Sequence, residues 1–369
     1  MSFVRNRGVP CFPSRRREWS LVLCVAIPIF TLIGCGEEIS TCLCDAVPQQ
    51  EVDPRLVIDS IKVCVWRSDA KAACSLAFDD RWQTHVSTAA PELEKRGFRG
   101  TFNLNTGGVT DWSVWQALHA KGHEIANHTR NHRNFRDLTE EEIIAEVSSG
   151  LADILANIEG MRFVPSFTYP YGSNSEMSRN IVSNYHMNAR GSPGINPRTP
   201  PDFMLIKGCG YYEPFVVTEM NRNLDCALAS GGWYVPYFHA ISDGPPAHCP
   251  IEVFQRHLDY IAEHEDSLWI APQGMVARYI REREAFRCKI VDEGGFWLCV
   301  DTGLDPALYD IPLTVRIFGS PGHGDLCLVI GGEAVQMPAD AFSVLVDLIP
   351  ETVQRISVYL VETTNAEKR

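Results

Sequence analysis

The sequence lacks an excess of positive charge. Its 369 residues contain 33 lysines and arginines against 46 aspartates and glutamates, which gives a formal net charge of −13. Proteins that bind nucleic acid need a basic surface for the phosphate backbone. The composition therefore argues against a nucleic-acid partner, and it argues equally against adhesion to an anionic membrane through a basic patch.

The N-terminal region lacks an apolar run long enough to cross a bilayer. Five arginines precede the uncharged run WSLVLCVAIPIFTLI, residues 19–33, whose length is short for a membrane span and typical of a signal-peptide core. The run ends in Leu32-Ile33-Gly34-Cys35, which resembles the lipobox of bacterial lipoproteins. We predict a lipoprotein-type signal peptide over residues 1–34 and an exported protein, anchored to a bacterial membrane by a lipid on Cys35, on its periplasmic or outer-surface side. A simple secretory signal or an uncleaved anchor is the alternative.

Cysteines are numerous, but no CxxC pair is present to suggest a zinc knuckle. Ten cysteines follow Cys35, and an even number in an exported chain permits disulfides whose pairing the sequence does not reveal. We interpret these cysteines as structural.

The chain divides into four segments by its hydrophobic pattern. We predict a tether over residues 35–70, a domain of alternating strands and helices over 71–285, and a small β-rich domain over 286–369, all after the signal peptide. The strand-like runs of the third segment are 73–78, 100–105, 123–127, 164–169, 185–190, 233–240 and 267–271. Between two of them, Thr139 and Glu142 have the spacing of a capping box that opens a helix through about Ile158. Such alternation predicts an α/β fold with a parallel sheet, open or closed as a barrel.

The stretch GHEIANHTRNH, residues 122–132, contains three histidines but lacks the glutamate of the zinc-protease motif HExxH. His128 and His132 are four residues apart, so on a helical turn they would share a face and could chelate one metal ion. A solvated pair would have the same spacing. His123 lies at the start of its strand and is interpreted as structural, whereas Asn127 could orient a ligand.

Two carboxylates follow the first strand of the α/β segment. Adjacent residues at a strand end point in different directions, so Asp79 and Asp80 are expected to have different roles. One can complete a His-His-Asp ligand set that leaves an open position on the metal, and the other can take a proton from water. A carboxylate pair that caps the following helix is the alternative.

Together, these motifs resemble a known family. SLAFDD at 75–80, GHEIANHTxxH at 122–132 and Tyr169-Pro170-Tyr171-Gly172, in that order, are similar to the polysaccharide deacetylases of the NodB-homology group, carbohydrate esterase family four. The resemblance implies a distorted, incomplete (β/α) barrel that hydrolyses N-acetyl or O-acetyl groups on glycans with a divalent metal, usually zinc.

The resemblance also implies a role for each matching residue. Asp79 corresponds to the general base, and Asp80, His128 and His132 correspond to the metal ligands. The backbone N–H of Tyr171 would stabilise the oxyanion, and His239 would protonate the leaving group, although a histidine at that position could also belong to the core.

One position departs from the family pattern. The family often places an arginine that pairs with the base where this chain has Tyr169. Arg190, at the end of a later strand, could reach the base instead, and Tyr169 itself is a candidate to tune the base or to bind the substrate. Trp233 and other aromatic residues near the same rim could stack on sugar rings or belong to the core.

We therefore expect an exported, metal-dependent hydrolase that removes N-acetyl groups from a polysaccharide or oligosaccharide. The alternatives are an O-acetyl esterase that acts on xylan-type glycans and a catalytically inactive glycan-binding lipoprotein.

Overall fold

The computed structural model describes residues 51–242, 248–320, 322, 324–338 and 343–361. These residues lie within one compact unit, Val47–Arg369. The predicted signal peptide and Cys35 lie outside the described residues. Among the residues described, no helix is long and apolar enough to span a membrane.

Strands and helices alternate through most of the chain, as predicted. The strands before residue 285 are β1 (Glu51–Val52), β2 (Ile58–Val63), β3 (Ala72–Cys74), β4 (Ala77–Asp79), β5 (Thr101–Leu104), β6 (Glu124–Asn127), β7 (Ser166–Thr168), β8 (Asn188–Pro193), β9 (Ile206–Gly210), β10 (Trp233–Tyr234), β11 (Pro236–Phe238) and β12 (Leu268–Ile270). The helices are α1 (Pro54–Val57), α2 (Ala90–Glu94), α3 (Ser113–Ala120), α4 (Glu140–Asn157), α5 (Glu176–Ser183), α6 (Val217–Ser230), α7 (Ile251–Ala262) and α8 (Gln273–Ala285). The capping box that the sequence predicts is present, because Thr139 and Glu142 exchange side chain-to-backbone hydrogen bonds at the start of α4.

Seven parallel strands close into a barrel in the order β4, β5, β6, β7, β8, β9 and β11, with β11 pairing back onto β4. A complete (β/α) barrel has eight strands, so this barrel is one strand short. The predicted fold class is confirmed. The strand before the barrel, β3, continues after a short break into β4 and pairs in parallel with β10 and β12.

The outer face of the barrel is apolar. Strand register places Phe78 beside Phe102 and Phe238, and the ring centroids of Phe78 and Phe102 are 5.0 Å apart. These rings pack against helix residues such as Leu93 and Phe254 in the largest core cluster. Because side chains alternate along a strand, the intervening residues point into the barrel.

Polar side chains fill the barrel interior. Near the amino ends of the strands, Glu124 Oε2 accepts hydrogen bonds from the hydroxyl of Thr101 and the backbone N–H of Gly274, 2.8 and 2.9 Å long. Gly274 is in the first turn of α8, so Glu124 lies at the positive end of that helix dipole. The amide of Gln273 donates to Asn188, which donates in turn to Ser166. These bonds close one end of the barrel with α8, and the other end carries the site.

The C-terminal region is β-rich, as predicted. Its strands are β13 (Arg287–Asp292), β14 (Phe296–Asp301), β15 (Leu313–Gly319), β16 (Leu326–Ile330), β17 (Glu333–Met337), β18 (Ser343–Leu348) and β19 (Thr352–Leu360). They form two antiparallel sheets around a second core cluster that includes Val315, Leu328 and Ile356.

Part of the predicted tether belongs to this β-rich region. β1 pairs with β19, and β2 pairs with β15 over Ile58 to Val63. The prediction of a tether over residues 35–70 is therefore wrong for residues 51–63. The buried residues of this stretch are Pro54, Val57 and Ile58, and the pattern of β2 is short and half-polar, which is why the sequence did not indicate it.

Seven of the cysteines in the described part of the chain carry free thiols: Cys64, Cys74, Cys209, Cys226, Cys249, Cys288 and Cys299. Burial raises the pKa of the Cys64 and Cys249 thiols to about 12. Such thiols are inert, which agrees with a structural role.

Candidate metal and catalytic site

Three potential metal ligands converge at the carboxyl end of the barrel. The Oδ1 atom of Asp80 lies 3.4 Å from Nε2 of His128 and 3.2 Å from Nε2 of His132. The two histidine nitrogens are 3.1 Å apart. Among the described residues, this is the cluster of His, Cys, Asp and Glu side chains whose ligand atoms lie close enough to share one ion.

The segment that carries both histidines is a turn, not the helical turn assumed from the spacing. Thr129 and His132 both have positive φ, 67° and 56°. A left-handed conformation costs free energy at residues other than glycine, so hydrogen bonds must maintain it. The hydroxyl of Thr129 accepts the N–H of His132, and Oδ1 of Asn127 accepts the N–H of Thr129. Asn127 thus orients the turn that carries His128 and His132, here called the ligand turn, as the sequence suggested.

A carboxylate from α4 completes the support of this turn. Glu146 is 5% exposed, and its two oxygens accept the backbone N–H and the side-chain amide of Asn131, each at 2.8 Å. Asn131 directly precedes His132 in the chain. Glu146 therefore holds the ligand turn against α4.

A hydrogen bond sets the tautomer of His128. Its Nδ1 lies 2.7 Å from the carbonyl oxygen of Thr168, an acceptor only. Nδ1 must therefore carry the proton, which leaves the lone pair of Nε2 directed at Asp80 and His132.

The cluster fits a divalent cation. Oδ1 of Asp80 is buried and has no hydrogen-bond partner in the described part of the chain. Burial works against the charged form of Asp80, but its interactions with the neighbouring histidines His128, His132 and His239 outweigh burial and lower the pKa of Asp80 to about 2. An ionised, unpartnered carboxylate oxygen that faces two imidazole nitrogens is the donor set that zinc and similar cations bind.

Asp79 points into the barrel and pairs with a different residue. Nη2 of Arg190 lies 2.6 Å from both carboxylate oxygens, and Nδ2 of Asn103 donates to Oδ1 at 2.8 Å. The side chains of Asp79 and Arg190 are each 5% exposed. Burial alone would raise the pKa of Asp79, but the positive charge of Arg190 and those of His128 and His239 lower it below its ordinary value. Arg190 therefore reaches Asp79 from strand β8.

Tyr171 lies beside the two histidines. Its φ is 59°, in the left-handed region. It is 71% exposed, and its ring lies 4.7 Å from the ring of His132, centroid to centroid. The residue to which the resemblance assigns oxyanion binding is therefore an exposed neighbour of His132.

His239 lies on the opposite side of the cluster. Its Nε2 is 3.6 Å from Oδ2 of Asp80, and its side chain is 28% exposed, so it is not a core histidine. The backbone carbonyl of His239 accepts a hydrogen bond of 2.9 Å from Nε2 of His85, a fully buried histidine. His85 therefore fixes the backbone that presents His239.

Two predicted site residues are not at the site. Tyr169 is 1% exposed and packs against Phe135 and Phe167, so it neither reaches Asp79 nor meets a sugar. Trp233 is fully buried, and its indole N–H donates to Ser75. Both predictions are wrong: Tyr169 packs in the apolar cluster outside the barrel, and Trp233 packs in a separate core cluster with residues of α8 such as Val276 and Ile280. His123 is structural, as predicted: it is 1% exposed, and its Nδ1 accepts the N–H of Gly100.

The sequence did not indicate four supporting residues: Asn103, Glu146, Thr168 and His85. Asn103 lies within strand β5 and could have been noticed as a polar residue between two apolar ones. Thr168 acts through its carbonyl oxygen, for which no side-chain pattern exists.

Residues 67–189 match the family model described as polysaccharide deacetylase. This segment therefore resembles the polysaccharide deacetylases, in agreement with the motifs in the sequence. A chitooligosaccharide deacetylase of Azorhizobium caulinodans is 31% identical over 110 residues, which cover 29% of this chain and 52% of that protein. A gellan lyase of a Bacillus species is 26% identical over 322 residues, which cover 79% of this chain and 12% of that protein. The chain therefore spans between about an eighth and about half of the length of these relatives.

Solved structures of polysaccharide deacetylases resemble the barrel more distantly. A structure described as a polysaccharide deacetylase of Mycobacterium smegmatis is 15% identical, with a TM-score of 0.47, and the match covers 62% of this chain and 96% of that one. A family 4 carbohydrate esterase of Streptomyces lividans is 16% identical, with a TM-score of 0.36, and the match covers 54% of this chain and 92% of that one.

Proposed function

We propose that this protein is a metal-dependent hydrolase that removes N-acetyl groups from a polysaccharide or oligosaccharide. The observation that carries the proposal is the pair of neighbouring carboxylates. Asp80 faces His128 and His132, whereas Asp79 faces Arg190 and is not part of that cluster. A hydrolase of this type needs both a ligand carboxylate and a free one for proton transfer.

Asp80, His128 and His132 would hold the cation, and their nitrogen and oxygen donors favour zinc. When bound, such a cation supplies Lewis acidity, which polarises a carbonyl oxygen and lowers the pKa of water. The residues of the chain itself carry out the proton transfers and bind the acyl oxygen.

Asp79 would take the proton of the attacking water, since its lowered pKa keeps it ionised at neutral pH. The N–H of Tyr171 would donate a hydrogen bond to the acyl oxygen as negative charge develops there, and such donors contribute about 3 kcal/mol. His239 would protonate the nitrogen as the C–N bond breaks. The products are acetate and a free amine on the glycan.

The proposal is tested by acetate release from a panel of N-acetylated and O-acetylated glycans, with and without a chelator. We expect release from an N-acetylated glycan that stops on chelation and returns with zinc. Release from O-acetylated glycans alone would establish an esterase instead. No release from any glycan with zinc present would contradict the enzymatic function and leave a glycan-binding protein.

We further propose that the protein is exported and attached to a bacterial membrane through a lipid on Cys35, which lies outside the described residues. The support is the sequence of residues 1–35. Mass spectrometry of the mature N-terminus tests this proposal, since an unmodified or uncleaved Cys35 would contradict it.

A further inference from the structure

One aromatic ring covers Arg190, the cation that pairs with Asp79. The Cζ atom of Arg190 lies 4.0 Å from the ring centroid of Tyr237. A guanidinium stacked on an aromatic face at this distance gains electrostatic attraction and loses contact with water. Tyr237 follows Pro236 on β11, two residues before His239.

The hydrogen bonds of Arg190 alone do not fix its orientation. Both contacts with Asp79 come from the same nitrogen, Nη2, and Nε of Arg190 is buried without a hydrogen-bond partner in the described residues. A guanidinium usually binds a carboxylate with two nitrogens, and this fork sets its plane. Here the plane must be set by packing, and the ring of Tyr237 is the surface that lies against it.

Strand β9 leaves room for this stack. A Cβ atom on Gly208 would lie 2.7 Å from Cδ of Arg190 and 3.1 Å from the Tyr237 ring. A Cβ atom on Gly210 would lie 2.3 Å from the hydroxyl of Tyr237. Any larger residue at either position would displace one of the stacked side chains.

The hydroxyl of Tyr237 faces the mouth of the site. It lies 3.2 Å from the hydroxyl of Tyr212, whose side chain is 56% exposed and whose ring centroid is 5.7 Å from that of His239. The ring of Tyr237 therefore separates the buried ion pair from the solvent that enters the mouth.

We propose that Tyr237 is a positioning residue of the deacetylase reaction, which keeps the guanidinium of Arg190 on the carboxylate of Asp79. The inference rests on the proposed function, because it takes Asp79 as the base. Without the ring, water reaches Arg190 and the guanidinium rotates away from Asp79. The base then loses its cation, while the groups that bind the glycan and the metal are unchanged.

The test compares Tyr237→Leu with Tyr237→Phe in the purified, zinc-loaded protein. Tyr237→Leu is expected to lower kcat about tenfold, the loss expected for a desolvated cation–π contact, and to change KM less than about twofold. Tyr237→Phe keeps the aromatic face and is expected to restore most of kcat. Bound zinc should remain stoichiometric in both variants. Tyr260→Leu, on α7 outside the barrel, is the control for removing a half-buried tyrosine ring.

The decisive comparison repeats Tyr237→Leu in an Arg190→Gln background, where no cation is left to position. No further loss of kcat is expected there. A full additional loss would overturn the proposal, because the ring would then act through another group, such as His239. An unchanged kcat in Tyr237→Leu, or an equal loss in Tyr237→Phe, would also overturn it.

Urea unfolding gives a readout that does not depend on activity. It is measured for the unaltered protein, Tyr237→Leu, Arg190→Gln and the variant that combines both substitutions. The unfolding free energies of Tyr237→Leu and Arg190→Gln should be non-additive, since the two side chains are in contact. Additive effects would show that the stack does not exist in solution and would overturn the proposal. If the unaltered protein releases no acetate while the unfolding energies are coupled, the proposed function fails and the contact between Tyr237 and Arg190 stands.

Discussion

Nη2 of Arg190 lies 2.6 Å from both carboxylate oxygens of Asp79, although the two residues come from strands β8 and β4 on different sides of the barrel. The resemblance of the motifs to polysaccharide deacetylases led us to expect an arginine at the position of Tyr169. Here the positive charge comes from Arg190 on the later strand β8, and Tyr169 packs in the apolar core.

Replacing Arg190 by Gln should leave Asp79 buried without a cation. Burial then raises the pKa of Asp79, and the acid limb of the kcat/KM profile should move to higher pH. Because Asp79 acts as a base only when ionised, the loss of activity should be larger at pH 6 than at pH 8. A pH–rate profile measures this shift. Arg190→Lys keeps a charge and should shift the limb less; an unshifted limb in Arg190→Gln would show that Asp79 does not depend on this cation.

Asp79→Asn and His132→Ala should separate catalysis from metal binding. Asp79→Asn is expected to retain one equivalent of zinc and to lose most turnover, because the base is removed and the ligand cluster is intact. His132→Ala should lose the metal, since it removes a nitrogen 3.2 Å from Oδ1 of Asp80. Metal analysis after dialysis, together with acetate release, checks both expectations, and the opposite pattern would reverse the roles assigned here.

Glu146→Ala should weaken metal binding without touching a ligand. The variant removes both acceptors of Asn131, so the turn that carries His132 is no longer held against α4. Loss of such a support typically lowers metal affinity about 10- to 100-fold. Competition with a fluorescent chelator measures the affinity. Glu141→Ala, at an exposed position of the same helix, is the matched control and should bind zinc like the unaltered protein.

Glu282 should make stability depend on pH. It is fully buried on α8, Oε1 accepts the N–H of Ile311, and burial raises its pKa from 4.5 to about 7. Between these values the folded protein binds more protons at Glu282 than the unfolded chain does. This contribution to stability is therefore complete below pH 4.5 and is lost as the pH rises through 7. Glu282→Gln should remove the dependence and stabilise the protein by about 3 kcal/mol at pH 8. Urea unfolding of the unaltered protein and of Glu282→Gln at pH 5 and pH 8 tests this prediction. An equal difference in unfolding free energy between the two proteins at both pH values would contradict it.

The sequence was sufficient to predict the parts of the site that depend on local spacing. Alternating apolar strands and the capping box at Thr139 predicted the α/β fold, and the order of the motifs predicted that Asp80, His128 and His132 meet. The spacing of the two histidines was interpreted through a helix that does not form. Instead, a turn with two left-handed residues brings His128 and His132 together, and no periodicity in the sequence reveals such a turn.

The rest depends on long-range pairing. Trp233 was placed near the rim because it lies on the strand that leads to His239, but whether a ring at a strand position faces the helices or the mouth depends on the packing of both neighbouring strands. β2 was missed because its short, half-polar pattern becomes a strand only when it pairs with β15, far along the chain.

The pairing of β2 with β15 also makes the two halves of the molecule complete at different moments of synthesis. Every strand of the barrel has left the ribosome before β15 is made, whereas β2, translated first, has no partner until the chain has passed the whole barrel. Contacts between residues so far apart in sequence form slowly. Every strand of the barrel is therefore made before the last strands of the β-rich region, which is the part of the chain that is completed last.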